Sequence, residues 1–150
     1  MTMEPWASLG YKAMPLGRWL ARRAREGWVW LATERGSILG LLVLQPDFLL
    51  GDFIALLAVY PAYAGRGIGR ALVERAQSLT FSRRRWLYVS SDSLNLAAAR
   101  FYRQLGFVRV ARLSDLVSQG RTEILWRKAR APGKFAQLAP RRAVQWRRAT

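Results

Sequence analysis

A chain of 150 residues, half of them hydrophobic, accommodates one domain with a sizeable core and is not expected to be disordered outside its ends. It has no cysteine and no histidine, which removes a disulfide framework, a thiol nucleophile, the usual general base and the commonest metal ligand, so no catalytic metal is expected. Its 25 Lys and Arg against 9 Asp and Glu give a formal charge of +16, which either favours polyanions such as nucleic acid and ribosomes or is spread over a solvated surface.

In chain order, residues 15–26 read as an amphipathic helix. Leu16, Trp19, Leu20 and Ala24 share one face, Arg18, Arg22 and Arg25 lie largely off it, and Gly27 is the stop. Residues 28–34 and 37–44 read as strands of a hairpin joined at Arg35-Gly36. Gln45-Pro46-Asp47 reads as a break, and 52–59 as the next strand, apolar throughout from Phe53 to Val59. No apolar run is long enough to span a bilayer, and the N-terminus lacks the basic-then-apolar order of a signal peptide. The expected location is the cytoplasm, with no membrane contact.

After the strand come Tyr60-Pro61 and the turn Gly65-Arg66-Gly67-Ile68-Gly69-Arg70. Ile68, Leu72, Ala76 and Leu79 then recur at helical spacing. Arg83-Arg84-Arg85 is a basic loop, and 86–90 a strand. Ser91-Asp92-Ser93 offers capping oxygens to a helix that begins near Asn95, with Ala98, Phe101, Tyr102 and Leu105 on one face and Gly106 at its end. Residues 107–113 and 123–128 read as a closing antiparallel pair. The mixed order implies an α/β (α+β) sandwich around a mixed sheet flanked by helices. The domain is expected to occupy residues 1–130. Residues 131–150 hold five basic residues and no acidic one, and read as a tail or as a basic helix over 140–148 containing Val144 and Trp146.

The glycine turn carries the most chemistry. A strand feeding a glycine-rich turn at a helix N-terminus converges backbone N–H groups on the positive end of the helix dipole, which suits a phosphate. The nucleoside-triphosphate loop GxxxxGK followed by Ser or Thr is absent. The dinucleotide pattern GxGxxG fails in both registers, at Arg70 and at Leu72.

The Gly65-x-Gly67-x-Gly69 spacing after Ala58-Val59-Tyr60-Pro61 resembles the acetyl-CoA-binding turn of the GNAT N-acetyltransferases, Arg/Gln-x-x-Gly-x-Gly/Ala. Gly67 and Gly69 hold its two small positions, and Ala64 stands where the family has Arg or Gln. Asn95, Ala98, Phe101, Tyr102, Gly106 and Phe107 match the family's later helix, N-x-x-A-x-x-F/L-Y-x-x-x-G-F. The resemblance covers residues 28–128. It implies a mostly antiparallel sheet and an opening region shortened to residues 1–27. It also implies transfer of acetyl from acetyl-CoA to a primary amine by direct attack.

By the same resemblance, Gly65, Arg66, Gly67, Ile68, Gly69 and Arg70 would present amides to the coenzyme's pyrophosphate. Leu57, Ala58 and Val59 would pair through their backbone with the pantetheine arm, and Asn95 would lie near that arm, unless it is only a helix cap. Tyr102, protonated at neutral pH, would donate to the leaving thiolate, unless it is only a core aromatic. Asp52 is the base candidate from the strand before the turn, with Asp92 and Glu123 as further carboxylates. Trp19, Trp28 and Trp30 would line an acceptor pocket or pack in the core. Two other functions stay open: a nucleic-acid- or ribosome-binding module on this fold, and a coenzyme A sensor without catalysis. The acceptor, a small molecule or a protein amine, is not readable from the chain, and a homodimer is left open.

Overall fold

The computed structural model describes residues 13–132 and 144–150. Helix α1, Ala13–Arg25, opens the described chain; both Arg22 and Arg23 pair with Glu26 at 3.0 Å. Gly27, at φ 80°, ends it with its N–H on the Ala24 carbonyl at 2.9 Å. Strands β1, Val29–Glu34, and β2, Ser37–Phe48, form the expected hairpin. Its turn residues Arg35 and Gly36 take φ of 47° and 80°, the left-handed pair that a tight hairpin requires.

The break expected at Gln45-Pro46-Asp47 is corrected, because β2 runs through it to Phe48. Asp47 adopts φ 57°, a local irregularity of the kind at which a strand tolerates a proline. Strand β3, Gly51–Val59, follows after only Leu49 and Leu50. These two take φ of 43° and 62°, again the left-handed pair of a tight turn. Such backbone costs a leucine roughly 1–2 kcal/mol that glycine escapes. Two contacts hold the tip: the Tyr88 hydroxyl donates to the Leu49 carbonyl at 3.0 Å, and Arg84 pairs with Asp47. A Cβ on Gly51 would collide with the Trp86 carbonyl, so only glycine lets the next strand approach there.

A short 3₁₀ turn, Pro61–Tyr63, leads to α2, Ile68–Phe81. The remaining elements are β4 Trp86–Asp92, α3 Leu96–Gln104, β5 Val108–Ser114, β6 Thr122–Ala129 and β7 Gln145–Arg148. The seven strands lie in the order β5-β6-β4-β3-β2-β1-β7. β3 and β4 are parallel, which demands the crossover that α2 supplies, while β1–β2, β1–β7, β4–β6 and β5–β6 are antiparallel. Neither reading of the C-terminal segment, tail or basic helix, describes Gln145–Arg148, which is a strand on β1 with Trp146 opposite Ala32. Residues 140–143 of that expected helix lie outside the described residues, as do 1–12 of the expected shortened opening.

The chain divides into two compact units. Among the described residues the first takes in 13–44, Leu56–Glu74 and 144–150, and its core includes Val29, Leu42, Val43, Leu56, Ile68 and Leu72. The second takes in Gln45–Ala55 and 75–132, around Ile54, Leu87, Val89, Tyr102, Phe107 and Trp126.

Candidate functional site

In the first unit the glycine turn is exposed, while Ile68 beside it is buried and pins the start of α2 to the core. Gly65 and Gly67 take φ of 74° and 78°, and an added Cβ on either would meet open space. Backbone conformation, rather than crowding, is what asks for glycine there. The first bond of the helical ladder runs from the Ala71 N–H to the Gly67 carbonyl at 3.0 Å. The Ile68, Gly69 and Arg70 amides precede that ladder, as the first donors of any helix do. α2 has no acidic residue in its first turn to oppose an anion. Arg66 lies over the Tyr63 ring at 5.4 Å, and Arg70 pairs with Glu74 at 3.2 Å. Leu57, Ala58 and Val59 end β3, half-buried, and the β3–β4 register stops before them at Ile54 opposite Val89. Their backbone therefore lies past the part of β3 that pairs with β4. A Cβ on Gly40 would strike the Ala58 carbonyl, so β2 comes close at this level.

In the second unit Asn95 is exposed and caps α3, its Oδ1 accepting the Ala98 N–H at 3.0 Å. The cap expected from Ser91-Asp92-Ser93 is corrected. Ser91 and Asp92 belong to β4, where the Ser91 hydroxyl accepts the Trp126 indole N–H at 2.9 Å. Tyr102 is 7% exposed, among the rings of Phe101, Phe107 and Trp126. Burial pushes its hydroxyl well above the usual phenol range, so it remains a proton donor at every working pH.

Asp52 is fully buried at the start of β3, opposite Leu87. Its Oδ2 accepts the Thr80 hydroxyl at 2.8 Å and pairs with Arg83. Asn95 follows the other end of β4, so at roughly 3.3 Å per residue the strand itself separates Asp52 from it. Thr80 and Arg83 were invisible as partners, since they stand 28 and 31 residues away with no local pattern linking them.

Two carboxylates do lie at the Asn95 end of β4. Asp92 faces Glu123 across the β4–β6 register. The Leu94 N–H, donating at 2.8 Å, and the Arg121 guanidinium at 2.7 Å hold Asp92 below the usual carboxylate range. Burial pushes Glu123 above it, against a hydrogen bond from Ser90, and the facing Asp92 charge raises it further. Alternation along β4 puts Ser90, Asp92 and Glu123 on one face, and Val89, Ser91 and Trp126 on the face that Tyr102 packs against. Trp19 and Trp30, named for an acceptor pocket, are half-buried and lie under the guanidiniums of Arg23 and Arg148.

Residues 25–109 match the family model of an acetyltransferase (GNAT) domain. The chain belongs to the GNAT acetyltransferase family. Among GNAT relatives it is 32% identical over 114 residues to the N-alpha-acetyltransferase MAK3 of Arabidopsis thaliana, covering 68% of this chain and 58% of that protein. The fold is shared with the ribosomal-protein-alanine N-acetyltransferase of Brucella melitensis, at a TM-score of 0.65 and 21% identity over 80% of each chain. It is shared also with a GNAT acetyltransferase from Elizabethkingia anophelis with acetyl-CoA bound, at 0.66 and 17% identity over 77% of this chain and 84% of that one.

Proposed function

We propose that this protein transfers acetyl from acetyl-CoA to a primary amine, and that the amine is the α-amine of a peptide or protein. The observation that carries the donor half is the exposed turn of Gly65 and Gly67 at the start of α2. Its left-handed glycines bring no side chain to cap the Ile68, Gly69 and Arg70 amides, and the first turn of α2 has no acidic residue, which fits a pyrophosphate. The backbone of Leu57, Ala58 and Val59 takes the pantetheine arm in this reading. Bound acetyl-CoA supplies an activated thioester; the rest is done by the chain.

Tyr102, kept neutral by burial, donates its proton to the departing thiolate. The base is Glu123. Its raised pKa brings it closer to neutral pH than an ordinary carboxylate, and its face of β4–β6 is the one opposite Tyr102. Asp52 instead serves the fold, because a carboxylate sealed against Thr80 and Arg83 has no route to an incoming amine. The names of the Arabidopsis and Brucella relatives support an α-amine acceptor. So does the modest base, since an α-amine, with a pKa of about 7.7–8.0, needs less help than a lysine.

The test mixes the purified chain with acetyl-CoA and three peptides: N-terminally free, N-terminally blocked with a free lysine, and fully blocked. Thiol release with the first alone is the expected result. Release with the second alone would reassign the acceptor to lysine. Coenzyme binding without release from any peptide or small amine would make the protein a coenzyme A sensor.

A further inference from the structure

The β2–β3 tip is at odds with its own sequence. A two-residue turn with positive φ at both positions selects Asn-Gly or Asp-Gly, yet leucines stand there, 60% and 84% exposed. Neither buries its side chain in return for the strained backbone, and a strained, exposed pair points to use outside the fold.

The tip stands among arginines of the same unit. Arg84 pairs with Asp47 just before it, and Arg83 with Asp52 just after it. Trp86, paired with Gly51, is stacked by Arg85 at 4.7 Å and by Arg127 at 3.9 Å. Arg130 donates its backbone N–H to the Arg85 carbonyl at 2.8 Å and its guanidinium to the Phe81 carbonyl at 3.3 Å. Five guanidiniums thus gather at this end against the carboxylates of Asp47 and Asp52.

We infer that the Leu49-Leu50 tip docks the protein peripherally on an anionic lipid bilayer, with the two leucines inserted among the acyl chains and the arginine cluster at the headgroups. The two parts of the patch select that occupant together. Nucleic acid would satisfy the arginines but offers nothing to paired leucines, whereas a bilayer interface rewards apolar insertion and cationic surroundings at once. No helix among the described residues is long and apolar enough to cross a membrane, which bears on spanning and leaves surface contact untouched. The expectation of no membrane contact rested on apolar runs and a signal-peptide pattern, neither of which senses a two-residue tip.

The experiment is co-sedimentation of the full chain with phosphatidylcholine vesicles, with and without phosphatidylserine. The unaltered chain is expected to pellet with the anionic vesicles. Leu49→Asn with Leu50→Gly is expected to bind at least about tenfold more weakly, since the inserted apolar surface is gone. That variant installs the residues the turn prefers, so its melting temperature should equal or exceed the parent's, which separates lost binding from lost folding. Arg84→Gln with Arg85→Gln should weaken anionic binding several-fold. Failure of the unaltered chain to bind anionic vesicles overturns the inference. So does unchanged binding by the leucine variant, or RNA binding that the leucine variant loses.

Discussion

Helices α2 and α3 begin in opposite ways. α2 starts from Gly67, which has no side chain to cap with, and its first amides precede the helical ladder at an exposed turn. α3 starts from Asn95, whose own carbonyl oxygen fills one of those donor positions at 3.0 Å. Every helix N-terminus has the same unsatisfied donors. A side-chain cap spends them on folding, and a bare glycine leaves them for a ligand. In the proposed function the helices also divide the labour: α2 would contribute backbone for binding, and α3 a side chain, Tyr102, for chemistry.

The largest effect tests that division. Tyr102→Phe should lower kcat about a thousandfold, within the usual range for general acid catalysis, and leave acetyl-CoA affinity nearly unchanged. A matching loss of affinity, measured by calorimetry, would break the distinction. Next, Gly67→Asp would give α2 a capping carboxylate like α3's. Acetyl-CoA affinity should fall about a hundredfold through repulsion and occupied amides, while circular dichroism remains that of the parent.

A smaller effect concerns the strand end that leads into α3. As the proposed base, Glu123 would have to be deprotonated to act, and its pKa is raised, so activity of the parent should climb with pH through a limb above the ordinary carboxylate range. Glu123→Gln should remove that limb and cost about tenfold at neutral pH. A pH–rate profile of both proteins decides it. Smallest is Asn95→Ala, which opens α3 in the manner of α2. It should cost about 1 kcal/mol of stability by thermal or urea unfolding. A many-fold rise in the KM for acetyl-CoA on top of that would show the amide reaching the pantetheine arm as well as capping.

Legibility followed whether a signal was local. The Arg35-Gly36 hairpin was readable because glycine is the residue that φ 80° selects. The Leu49-Leu50 hairpin was not, because leucine argues against such a turn and Pro46 argued against the strand before it. The extra strand β7 was hidden similarly: Gln145–Arg148 is short and basic, and only its partner β1 makes it a strand. Among site residues, the glycine turn and the Asn95–Phe107 pattern were fully written in the chain. The fate of Asp52 was not, since Thr80 and Arg83 reach it through the fold.

What the sequence determined by itself is therefore the family, the alternation of strands and helices, and the glycine turn at the start of α2. Each of these is a matter of backbone preference or spacing over a few residues. Only the tertiary structure decided which carboxylate is sealed and which carries a raised pKa. It also decided that two leucines stand exposed in a strained turn amid arginines. Burial, facing charges and cross-strand register are properties of residues distant in the chain, and no local pattern records them.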